Sequence, residues 1–126
     1  MEVLVVDDSE VVADSLAFLL DCYGHHTTVT RDGESALRLL RASVFELVFL
    51  DENLPGITGS AVALSIIDMP IMRRPFVVSM TGDSVSYDER ARLFDVLLHK
   101  PFSIEALMQV IAGAQDSVDA TVSLAA

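Results

Sequence analysis

Three apolar runs of this chain each break off into a charged or hydroxyl residue, and that pattern decides the fold class. Residues 3–6 end in Asp7-Asp8. Residues 44–50, interrupted only by Glu46, end in Asp51, and residues 76–80 end in Thr81-Gly82. A fourth run, 96–98, leads through His99 to Lys100-Pro101, and Lys100 is the only lysine. Continuous apolar runs of this length read as strands buried on both faces, which is the habit of parallel sheets. Such a strand delivers the residue at its carboxyl end to the rim of the sheet, where open α/β sheets bind their ligands. Three carboxylates, a hydroxyl and an ammonium on one rim point to a divalent cation and a phosphoryl group.

Helical patterns separate the runs. Ser9 can cap a helix whose apolar positions Val12, Leu16, Leu19, Leu20 and Tyr23 follow the three-and-four spacing of one face. Gly24 is its stop. Residues 25–30 alternate weakly and are rich in threonine, as an edge strand is. Asp32 can cap a helix through Ser43, with Ala36, Leu37 and Leu40 inward. Residues 45–50 form the central strand, and Asn53-Leu54-Pro55-Gly56 is a loop by composition. A helix over about 60–68, a connector over 70–75 and a strand over 76–80 follow. Residues 83–94 carry a weaker helical signal and 95–99 a short strand. Ser103 caps a last helix in which Ile104, Leu107, Met108 and Ile111 share a face. The result is five β-α units in a doubly wound parallel sheet with helices on both faces.

A chain of 126 residues is expected to form one domain, over 1–115, with 116–126 as a flexible C-terminal tail or the start of a linker. The net charge of −11 repels phosphate backbones and anionic membranes, so direct nucleic-acid binding by this segment is not expected. No stretch approaches the ~20 apolar residues of a membrane span, and no signal peptide opens the chain. Cys22 is the only cysteine, so an internal disulfide is excluded, in keeping with a cytoplasmic location. It reads as a small buried residue at a helix end. His25 and His26 point to opposite faces of a strand, so the pair, even with His99, does not suggest a metal site.

The chemistry follows from residue types. Asp7 and Asp8 differ in direction, so one coordinates a cation directly and the other through water. Asp51 supplies a further oxygen. Few protein carboxylates and several waters suit magnesium. Asp51 is the candidate nucleophile, since a carboxylate can take a phosphoryl group as an acyl phosphate. Lys100 and the cation would neutralise the transferring oxygens, and Thr81 would donate a hydrogen bond to one of them. Pro101 restricts the backbone of Lys100, and their peptide is a candidate for the cis form.

The pattern resembles the receiver domain of bacterial two-component response regulators. The resemblance runs from Val3 to about Gln115. It rests on Val-Asp-Asp-Ser at 6–9, Leu-Asp-Glu-Asn-Leu-Pro-Gly at 50–56 with Gly59, Ser-Met-Thr-Gly at 79–82 and Lys-Pro-Phe at 100–102. It implies a flavodoxin-like sheet of order 2-1-3-4-5. It implies that Asp51 is the phosphoacceptor, Asp8 the direct magnesium ligand and Asp7 a ligand through water. The Asn53 backbone carbonyl would complete the protein ligands, and Thr81 and Lys100 would bind the phosphoryl group. Asn53 and Asp83 would tune the phosphoryl lifetime. The donor would be a sensor histidine kinase or a histidine phosphotransfer protein. The chain would catalyse its own phosphorylation and slow dephosphorylation, and pass the signal to an output domain or protein that the sequence does not identify.

Three departures concern the transmitting segment. Receivers commonly carry an aromatic residue three positions before the lysine, where this chain has Leu97, and a small Gly-Ala pair where it has Leu93-Phe94. Only 18 residues separate Thr81 from Lys100, about three fewer than the resemblance implies, which is nearly one helical turn. A short or distorted fourth helix is expected there. Two other functions compete: a magnesium phosphatase of the haloacid-dehalogenase type, which usually has a second acid where this chain has Asn53, and a pseudo-receiver that only binds protein.

Overall fold

The computed structural model describes residues 1–70, 73–82 and 92–125. Five strands run parallel in the order β2-β1-β3-β4-β5: β1 Glu2–Val6, β2 His26–Thr30, β3 Leu47–Asp51, β4 Phe76–Thr81 and β5 Val96–His99. Among the described residues there are four helices: α1 Glu10–Cys22, α2 Gly33–Ala42, α3 Gly59–Asp68 and α4 Ile104–Ala125. Strand order, direction and the doubly wound architecture agree with the sequence reading. The fourth helix it expects over 83–94 falls largely outside the described residues.

The two-residue period of the strands builds two cores. Val3, Val5, Leu47, Phe49, Val78, Met80 and Leu98 face Leu16 and Leu20 of α1 and Leu107 and Ile111 of α4. Leu4, Val6, Val48, Leu50 and Val77 face Ala36 and Leu40 of α2 and Val62 and Ile66 of α3. Burial on both faces is why the strands read as unbroken apolar runs. The register sets Val6 beside Leu50, Asp51 beside Met80, and Thr81 beside His99. All the strand ends named above therefore reach the same rim.

The capping residues act locally. Ser9 Oγ accepts from Val12 N, Asp32 Oδ1 from Ser35 N at 2.7 Å, and Ser103 Oγ from Ala106 N at 3.0 Å. Helix α3 begins one residue earlier than the sequence suggests, with Thr58 as its cap.

Three expectations differ from the structure. Cys22 is exposed, not buried. The inward face of α1 is Ala13, Leu16 and Leu20, and a residue two places past Leu20 lies about 200° round the helix. Tyr23 is also exposed, because the helix ends there and Gly24 turns the chain at φ 87°. The last helix does not stop near Asp116. It continues to Ala125, through a segment with no glycine or proline to break it and with Gln115 bonded to Asp119 one turn on.

Phe94 is buried against the α2–α3 core, with Leu93 packed beside it. Asp95 ties the start of β5 to β4 by two hydrogen bonds with Val77. The segment entering β5 is thus anchored by bulk where the resemblance implies small residues.

Candidate functional site

The rim joins residues that are far apart in sequence. Carboxylate oxygens of Asp7, Asp8 and Asp51 all lie within 4.8 Å of one another. Lys100 Nζ donates to Asp7 Oδ2 at 2.6 Å and stands 3.6 Å from Asp51 Oδ2. Asp7 is fully buried, Asp51 nearly so, and Asp8 is exposed. That gradient gives the cluster a closed floor and an open mouth.

Each member is set by its own strand end. Asp7 N donates to Thr30 O of the neighbouring β2, and Asp7 Oδ1 accepts from Ser9 N at 2.9 Å. Both Asp7 oxygens are therefore engaged. Asp51 Oδ1 accepts from Asn53 N at 3.3 Å, so the loop after β3 folds back on the carboxylate it follows. Thr81 is buried at the end of β4, and its carbonyl accepts from Lys100 N at 2.7 Å. The Lys100-Pro101 peptide is cis.

Charge in the cluster is unbalanced: three carboxylates face one ammonium. Burial first, and the charge of Asp7 second, push the Asp51 carboxyl up to about 6, while Lys100 pulls the other way. A buried site with surplus negative charge and few protein oxygens suits a small divalent cation that keeps several waters.

The structure therefore brings together Asp7, Asp8, Asp51 and Lys100, with Thr81 at the adjacent strand end and Asn53 on the loop. Leu97 lies on β5 opposite Ser79, half-buried, away from the carboxylates. Asp83 lies outside the described residues. His26 opens β2 at one edge of the sheet, with His25 just before it, while His99 closes β5 at the other. His25 meets the Met1 amine and His26 meets Glu2.

The sequence reading did not find what fixes the loop. Gly59 N donates to Glu52 O at 3.1 Å, and Ser60 Oγ donates to Glu52 Oε2 at 2.7 Å. A side chain at Gly59 would overlap the Asp51 carbonyl oxygen and lie 2.9 Å from the Glu52 Cα. Helix α3 thus docks directly on the chain that carries Asp51. The spacing of Glu52 and Ser60 is not a helical one, so no local pattern announces the pair.

Comparison with known proteins agrees with this geometry. The family model for the response regulator receiver domain matches residues 3–112. The transcriptional regulatory protein CutR of Streptomyces coelicolor is 30% identical over 109 residues, covering 86% of this chain and 50% of CutR. The sensory transduction protein RegX3 of Mycolicibacterium smegmatis is 48% identical over 60 residues, covering 48% of this chain and 26% of RegX3. The chain thus spans half or less of the length of these relatives. A CheY-like receiver domain from Methylobacillus flagellatus superimposes with a TM-score of 0.85 at 26% identity, covering 90% of this chain and 98% of that one. The response regulator TrrA of Thermotoga maritima, solved in complex with Mg(2+)-BeF, has a TM-score of 0.82 at 26% identity, covering 90% of this chain and 97% of that one. Strand-end carboxylates, a lone lysine at their centre and a family match across the whole sheet lead to one conclusion: the chain belongs to the response regulator receiver domains of two-component signalling.

Proposed function

We propose that this receiver is a phosphorylation-controlled switch whose acceptor is Asp51. The observation that carries the reading is Lys100 Nζ, held 2.6 Å from Asp7 and 3.6 Å from Asp51 within a cluster of three carboxylates. A sensor histidine kinase or a histidine phosphotransfer protein supplies the phosphoryl group. The Asp51 carboxylate forms the new P–O bond as the P–N bond to the donor imidazole breaks, and the imidazole leaves carrying a proton. Lys100 and the Thr81 hydroxyl hold the phosphoryl oxygens. Asp8, Asp51 and the Asn53 carbonyl would hold Mg2+, with Asp7 acting through water. Bound there, the cation offsets charge on the transferring oxygens. Mass spectrometry after incubation with acetyl phosphate and magnesium should show one added phosphoryl group. A folded protein that takes up none would favour a binding-only receiver.

Asp83 and Asn53 tune the lifetime in this reading. Asp83 places a negative charge two residues beyond Thr81. Asp83→Ala should change the decay rate of the phosphorylated protein by severalfold without preventing its formation. Identical decay in both proteins would refute that role.

The output route is less ordinary. Leu97 is shorter than an aromatic ring and lacks a hydroxyl, so a rotamer change there repacks little volume. Phe94 and Leu93 already fill the adjoining core. A ligand shifts a population only by its difference in affinity for the two states. The signal should therefore travel through the backbone of residues 83–97 to an output domain or partner. Amide hydrogen exchange with and without beryllofluoride should show altered protection across 83–97. Unchanged protection there, combined with loss of partner binding in Leu97→Ala, would place the switch at the side chain instead.

A further inference from the structure

We infer that Ser60 and Glu52 form a positioning pair for the cation site, an inference that rests on the magnesium reading above. The loop after Asp51 is exposed at Asn53, Pro55 and Gly56. Its apolar anchors are the partly buried Leu54 and Ile57. The residue that presents Asn53 is instead fixed at its root. Glu52 N donates to Met80 O of β4, and Glu52 O accepts from both Gly59 N and Leu54 N, at 3.1 and 3.2 Å. The Glu52 side chain completes the tie through Ser60 Oγ at 2.7 Å. Asn53 follows directly, its own N–H bonded to Asp51 Oδ1 and the next N–H bonded to Glu52 O. The residue whose carbonyl is assigned to the cation is thus bounded on both sides by hydrogen bonds, one to Asp51 and one that ends on Glu52 itself. A half-buried carboxylate bonded to a hydroxyl on the first turn of α3 holds that position against the pull of solvent. Groups that orient a metal ligand from behind alter metal affinity although they never touch the ion.

Ser60 provides the clean test, because changing it leaves the charge of the site untouched. Ser60→Ala should weaken magnesium affinity about 10-fold, the low end of such effects, read by amide NMR titration with magnesium chloride. Ser60→Thr, which keeps the hydroxyl, should restore it. Ser65→Ala removes another α3 hydroxyl, one that donates to Ala61 O at 3.0 Å, and should leave affinity at the wild-type level. Chemical unfolding in EDTA should show all three variants folded, so that affinity and stability are read separately. Wild-type affinity in Ser60→Ala, or equal weakening in Ser65→Ala, would overturn the pair while leaving the magnesium reading intact. Absence of magnesium binding by the unsubstituted protein would instead overturn both.

Discussion

Asp51→Asn should abolish phosphorylation by acetyl phosphate, while Asp8→Asn should slow it and leave one phosphoryl group still able to form at Asp51. The cluster offers three carboxylates, and their surroundings separate their roles. Both oxygens of Asp7 are occupied, one by Ser9 N and the other by Lys100 at 2.6 Å. Its engagement makes it a poor nucleophile. Asp8 is exposed, where water competes with any electrophile. Asp51 keeps one oxygen 3.6 Å from Lys100, close enough for the ammonium to guide an incoming phosphoryl group but too far to tie the oxygen up. Its carboxyl is pushed up to about 6 by burial and by the charge of Asp7, which still lies below pH 7, where the nucleophilic carboxylate predominates. Asparagine keeps the shape but cannot form the acyl phosphate. Intact mass before and after incubation reads the result directly. A phosphoryl mass on Asp51→Asn, located by peptide mapping to Asp7 or Asp8, would reassign the acceptor.

The same cluster shows what a sequence exposes and what it hides. Strands buried on both faces appear as unbroken apolar runs, and the residue that ends each run is at the rim by necessity. Asp7, Asp8, Asp51, Thr81 and Lys100 were legible for that reason. Capping hydroxyls and carboxylates at Ser9, Asp32 and Ser103 were legible because a cap acts within three residues. Which carboxylate Lys100 grips was not legible, since Asp7 and Lys100 are 93 residues apart and both Asp7 and Asp51 sit within its reach. The Glu52–Ser60 bond depends on how a loop with glycine and proline closes, which periodicity does not report. The length of α4 is not legible because the sequence from Asp116 onward is small and polar, although Ala114 just before it packs in the core. Exposure of Cys22 follows from helical phase, which places it about 200° round α1 from the inward Leu20.

Magnesium should stabilise this fold in a pH-dependent way, and Asp51 sets the window. Burial and the charge of Asp7 push its carboxyl up to about 6 in the folded chain, against 3.8 for the unperturbed group. Between those values the folded state keeps a proton that the unfolded state releases. In EDTA, then, this group's contribution is fully present below about pH 4 and is lost as pH rises through 6. The loss should be about 1–2 kcal/mol, since part of the shift is relieved by solvent at the mouth of the site. Magnesium acts in the opposite sense. It binds the ionised cluster in the folded state, so its stabilisation is small at pH 4 and complete by pH 7.5. At a concentration ten times its Kd the cation adds about 1.4 kcal/mol, or roughly 5 °C in Tm for a domain of this size. The comparison that isolates the site is Asp51→Asn. That variant should be more stable than the parent in EDTA at pH 7.5, should lose the downward slope between pH 4 and 6, and should give up most of its response to magnesium. A parent protein whose unfolding midpoint ignores millimolar magnesium at pH 7.5, or whose response is equal at pH 4, would show that Asp51 and the cation are not coupled. Self-repulsion among Asp7, Asp8 and Asp51 would then have to be relieved by Lys100 alone, which meets Asp7 far more closely than Asp51.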